Sequence, residues 1–175
     1  ATRYAKVEIS PNDDVNMSQS SNDVIPTAIK LSAYMDLTKK LFPALDGLIK
    51  SINDKADSLK GTIKTGRTHL MDAMPIDFSE ELKAWSSQLE SSKEMLNVIE
   101  KKFLELSQGG TAVGSGINAH KQFAKLFAQE ITKLTKNKYK FTPAKNFYHE
   151  LSAQDCSVQL SGELKNLAVI LMKIS

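Results

Sequence analysis

Apolar positions along this chain fall into long lines with helical spacing. Ala28, Leu31, Met35, Thr38, Phe42, Leu45, Ile49, Ile52, Ala56 and Leu59 recur by threes and fours, with Thr38 the single polar member. That interval places them on one face of a helix. A second line, Tyr34, Leu37, Leu41, Ala44 and Leu48, runs beside it. A helix with two apolar lines touches several neighbours at once, as in the interior of a bundle. Pro26 is expected in the first turn of this helix, where its missing N–H costs little. Pro43 is expected to kink the helix or split it in two. Phe78, Leu82, Trp85, Leu89, Ser92, Leu96, Ile99, Phe103 and Leu106 repeat the pattern. They predict a second helix of roughly 30 residues, about 45 Å long, and helices of that size usually pack side by side, often across subunits.

Shorter helices are predicted over about Ala119–Leu134 and from about Glu150 onward. The last is still apolar at Leu167 to Ile174 and carries no stop signal at Ser175, so the chain is expected to end inside a helix. Gly61–Pro75 and Gln108–Gly116 read as loops and Asn137–Phe147 as a connector. The only strand signal is the short stretch Lys138–Phe141. The expected fold class is all-α, a long-helix bundle forming one partial domain over residues 1–175.

Composition narrows the classes. With 41% hydrophobic and 25% charged residues, the chain matches an ordinary globular protein. No apolar run approaches the roughly 18 residues of a membrane span. The start, Ala1 to Asp14, is polar and shows no signal-peptide pattern. There is no initiating Met, which leaves the natural start open. The net charge of +3 is interspersed, with Lys39-Lys40 and Lys101-Lys102 set among acids, so a nucleic-acid partner is not expected. The single cysteine, Cys156, allows no internal disulfide and fits a reducing compartment. His69, His120 and His149 stand too far from one another and from Cys156 in sequence to make a metal motif.

Three polar stretches interrupt the helices. Ser18-Gln19-Ser20-Ser21-Asn22-Asp23 precedes the first. Hydroxyls, an amide and free N–H groups at a positive helix end suit a carboxylate, and they equally make a plain N-cap. Gly66-Arg67-Thr68-His69 lies between the two long helices, where His69 could relay a proton near neutral pH and Thr68 could hold a substrate oxygen. The glycine-rich run Gln108 to Gly116 permits close approach of the backbone. Gly109 to Gly114 has phosphate-loop spacing, but Ser115 stands where Lys is required and no strand precedes it.

Taken together, Ser18 to Asp23, Gly66-Arg67-Thr68-His69-Leu70-Met71-Asp72-Ala73, and Gly109 to Asn118 resemble the fumarase/aspartase superfamily, and within it the class II fumarate hydratases, over about Ser10 to Ser175. The resemblance implies a homotetramer built on a twenty-helix core, with active sites assembled from three subunits. It implies that Ser20, Ser21 and Asn22 bind a substrate carboxylate and that Thr68 and His69 share the site, His69 moving a proton with a bound water. The implied reaction is reversible hydration of fumarate to (S)-malate, with no metal or organic cofactor, in the cytoplasm or alternatively the mitochondrial matrix. Aspartases, the nearest alternative, usually carry Gln at the position of His69 and Thr at that of Ser21. The structural-scaffold alternative has no need of Ser20, Ser21, Asn22, Thr68 and His69.

The resemblance has departures. The family's second dicarboxylate site, His-Pro-Asn-Asp, corresponds here to Ser10-Pro11-Asn12-Asp13, with Val7 in place of an upstream Arg. Ser79-Glu80-Glu81 stands for the family's Gly-Gln-Glu. The family's mobile serine loop, which holds the catalytic base, is not found in these residues. The chain by itself is therefore expected to be inactive.

Overall fold

The computed structural model describes residues 7–136 and 139–175. Helices dominate it: α1 (Ser21–Asp36), α2 (Phe42–Ser58), α3 (Phe78–Glu100), α4 (Phe123–Thr135), α5 (Phe147–Ser152) and α6 (Asp155–Ile174). Two small sheets accompany them: an antiparallel hairpin of β1 (Ile63–Thr68) and β2 (Met71–Asp77), and a short parallel pair, β3 (Glu105–Leu106) with β4 (Thr142–Pro143). The expected all-α class holds. The chain divides into two compact units, one formed by the segment up to Tyr34 with Lys102–Ser157, the other by Met35–Lys101 with Val158–Ser175.

In the second unit the apolar lines meet as their spacing predicts. Leu37, Phe42, Leu45 and Ile49 close on Leu89 and Leu96 of α3 and on Leu167 and Ile170 of α6. Leu89 and Leu96 are wholly enclosed, and burying such a side chain stabilises by about 1.5–3 kcal/mol. Pro43 does interrupt the long helix. Just ahead of it, Leu37–Leu41 forms a π turn in which the Phe42 N–H reaches the Leu37 carbonyl. A proline cannot donate back to the preceding turn, and widening that turn accommodates its ring.

Four expectations need correction. Helix α1 begins at Ser21, so Pro26 lies past the first turn, inside the helix and buried. Hydrogen bonding between Ser20 and Asp23 starts the helix earlier than the apolar line suggests. On α1 the buried face is Asp23, Thr27, Lys30 and Tyr34, while Ala28 is exposed and Leu31 only half-buried. Helix α3 is 23 residues long and passes into a 3₁₀ turn at Lys101–Leu104, because Glu105–Leu106 pairs with Thr142–Pro143. Finally, Gly61–Pro75 is largely a hairpin, not a loop.

The hairpin has an unusual turn. Thr68 pairs with Met71, so His69 and Leu70 are the two central residues, at φ 53° and 60°. This is the I′ arrangement, whose positive φ values normally call for Asn and Gly. A register shift between Thr65 and Arg67 falls at Gly66, where a Cβ would come within 2.5 Å of the Met74 carbonyl oxygen. Asp77 joins the hairpin to α3 as its N-cap, accepting from the Ser79 N–H and the Gly61 N–H, each at 2.8 Å. The Ser79 hydroxyl first, then these N–H groups, hold the Asp77 carboxyl below the usual carboxylate range.

Candidate functional site

Ser20, Ser21 and Asn22 stand at the start of α1, in the first unit. The local sequence makes this start well defined. The Ser20 N–H donates to Asp23 Oδ1 at 2.9 Å, and the Asn22 N–H donates to Ser20 Oγ at 3.2 Å. This is a reciprocal cap of the Ser-x-x-acid kind. Ser21 is the first residue of the helix and its side chain is exposed, as is that of Asn22. The expected N-cap is thus present, and capping by Ser20 and Asp23 leaves Ser21 and Asn22 exposed at the positive end of the helix.

The glycine-rich segment is packed against this helix start. Asp23 is fully buried. Its Oδ2 accepts from the Gly109 N–H at 3.0 Å and the Thr111 N–H at 2.9 Å. Asn22 Nδ2 donates to the Ala112 carbonyl at 2.7 Å, and Ser18 Oγ donates to the Asn118 carbonyl at 2.9 Å. The close approach expected of this loop is found: residues 106 to 111 and Gly114 are buried. Gly109 has φ +107° and lies so close to Ala124 that a Cβ would meet its Cβ at 2.5 Å. Gly114, at φ +103°, abuts the Tyr148 backbone, leaving no room for a side chain.

Thr68 and His69 lie in the other unit, both exposed, at the end of the β1–β2 hairpin. The left-handed His69–Leu70 turn projects the imidazole from a backbone that most residues would not hold. In the first unit, Asn12 and Asp13 lie in a short π turn, Pro11–Val15, and Ser10 is its N-cap. Ser10 Oγ donates to Asp13 Oδ2 at 2.9 Å and accepts from the Asp13 N–H at 3.1 Å, and the Ser10 N–H donates to Asp14 Oδ2 at 2.8 Å. His149 is exposed and contacts Asp155 Oδ2 at 3.0 Å through Nε2, and His120 accepts from the Gln122 N–H.

A family described as lyase matches residues 3–175. The chain belongs to that lyase family. It is 44% identical to fumarate hydratase class II 2 of Pseudomonas aeruginosa over 175 residues, which is 100% of this chain and 38% of that protein. It is 47% identical to fumarate hydratase class II of Xylella fastidiosa over the same length, 37% of that protein. The crystal structure of class II fumarase from Schistosoma mansoni matches with a TM-score of 0.91 at 35% identity, covering 97% of this chain and 38% of that one. The chain therefore spans well under half the length of the curated relatives it matches. No helix among its described residues is long and apolar enough to cross a membrane.

Two residues of the first unit lie outside what apolar periodicity shows. Asp23 was legible as the acid three positions after Ser20, the signature of a capping box. Lys30 left no such signal. Its ammonium is buried on α1, pairs with Glu150 and donates to the Glu105 carbonyl at 2.8 Å.

Proposed function

We propose that this lyase chain is the central portion of a class II fumarate hydratase, carrying part of a site that hydrates fumarate reversibly to (S)-malate. What supports the reading most directly is the packing of the Ser20–Asn22 helix start on the glycine segment. Asn22 and Ala112 are 90 residues apart in sequence yet hydrogen-bonded. Two of the three motif stretches thus form one corner with outward hydroxyl and amide donors. Ser20, Ser21 and Asn22 would hold one substrate carboxylate there, at the positive end of α1. Thr68 would hold a substrate oxygen, and His69, with a bound water, would move the proton to or from oxygen. Donors aimed at the developing aci-carboxylate would supply most of the rate. The reading calls on no metal or organic cofactor, and it takes the catalytic base from a segment beyond these residues.

The same reading makes the molecule a cytoplasmic homotetramer whose sites draw on three subunits. Ser10, Asn12 and Asp13 correspond in it to a second dicarboxylate site. The exposed apolar side chains Met95 and Val98 on α3, and Val169 and Met172 on α6, give the helices unspent surface for such an assembly.

The test is fumarate hydration by the natural protein that carries these residues, wild type beside His69→Asn. Malate formation is expected in the wild type, with kcat about 100-fold or more lower in the variant. Release of ammonia from aspartate in place of malate turnover, or full activity in His69→Asn, would move the assignment to another branch of the family.

A further inference from the structure

We infer that Asp23 is a positioning residue for the substrate-carboxylate corner, acting through Asn22 and the glycine segment; the inference rests on the fumarate hydratase reading. Three N–H groups converge on its carboxylate, from Ser20 at 2.9 Å, Gly109 at 3.0 Å and Thr111 at 2.9 Å. The last two come from a segment bent by left-handed residues, Gly109 at φ +107° and Thr111 at φ +59°. Backbone N–H groups gathered by such bends form a nest for an anion. Here the nest is filled by the protein's own carboxylate. That explains why phosphate-loop spacing appears at Gly109 to Gly114 without a phosphate-loop lysine: the N–H groups are committed internally.

The consequence falls on Asn22. With the segment pinned, the Ala112 carbonyl is set 2.7 Å from Asn22 Nδ2. A carbonyl only accepts, so the amide must turn its NH₂ end to Ala112. One N–H and Oδ1 then remain for a ligand. Asp23 thereby decides which way the amide of Asn22 is presented. Asparagine at 23 could not do the same. One end would still accept from Gly109 and Thr111, or from Ser20, but its NH₂ would face N–H donors at the other end.

The experiment is steady-state fumarate hydration by the natural protein as wild type, Asp23→Asn, Asp23→Glu, Asn22→Ala and the double variant Asp23→Asn/Asn22→Ala. The expected result is a KM raised about ten-fold in Asp23→Asn with kcat held within a few-fold, the mark of lost binding common to ground and transition states. The double variant should bind no worse than Asn22→Ala alone, because the two act as one unit. An unchanged KM with loss only of kcat or of folded protein would overturn the inference, as would fully additive losses. If Asp23→Asn does not fold, Asp23→Glu provides the same comparison: it keeps the charge but displaces the acceptor by one methylene, and it too must raise KM. If the wild type does not hydrate fumarate, the functional reading fails by itself. Amide hydrogen exchange in Asp23→Asn then decides the pinning: faster exchange at Ser20 or at Gly109 and Thr111, but not in the Ile63–Asp77 hairpin, supports it, and unchanged exchange at all three refutes it.

Discussion

Lys30 shows how one charge can govern a stretch of structure. Its side chain is 7% exposed and that of Glu150 is 13% exposed, so each ion depends on the other. Removing one partner of such a pair strands the other charge. Lys30→Met is expected to destabilise the protein by about 3–5 kcal/mol, and adding Glu150→Leu should recover most of that loss. Urea unfolding of the two variants beside wild type checks this, and a double variant no more stable than the single would contradict it. The sequence alone concealed the pair because apolar periodicity treats a lysine as a solvent-facing residue. Its partner comes from a helix 120 positions on. The substrate-side residues were easier, since Ser20, Ser21, Asn22, Thr68 and His69 lie in contiguous polar stretches that interrupt the apolar lines.

Among the elements, the β1–β2 hairpin escaped sequence reading for a definite reason. Its strands lack clean alternation, with six of the seven residues of β2 exposed, and its turn is made by His69 and Leu70 where Asn and Gly would have announced it. The left-handed conformation at Leu70 serves no packing, for the side chain is 99% exposed. Leu70→Gly should therefore raise stability, by up to about 1 kcal/mol, as the turn loses its steric cost. Thermal melts of the two proteins give the comparison, and a lower midpoint in the glycine variant would show that Leu70 makes a contact worth more than the strain. The long helices were legible in the opposite way. Leu45, Ile49, Leu82, Leu89 and Leu96 were placed inside by spacing alone and are buried, because three- and four-residue intervals fix a face before any neighbour is known.

For the molecule as a whole, the proposed tetramer turns on apolar surface that the chain leaves uncovered. Val169 is 57% exposed and Met172 77%, one turn apart on α6, on the side away from buried Leu167 and Ile170. In the natural protein, Val169→Asp with Met172→Asp should convert the assembled species to smaller ones in sedimentation, while helical content by circular dichroism stays near wild type. An unchanged sedimentation coefficient would show that α6 contributes nothing to assembly. What sequence could give at this scale was the presence of unspent apolar lines. It could not divide them between the core of one chain and a surface, since both use the same residues at the same spacing.

The π turn ahead of Pro43 also bears on how this chain can change over generations. Such a turn holds one residue more than an ordinary helical turn. Deleting a residue there would restore regular winding, in which four residues turn the helix through about 400°, nearly the rotation the five of the π turn now make. Leu45 and Ile49 would keep facing Leu89 and Leu96. The extra residue can therefore be lost alone. A lineage can shed it without rewriting the apolar line of α2, because the buried positions already step by five from Leu37 to Phe42 across the bulge.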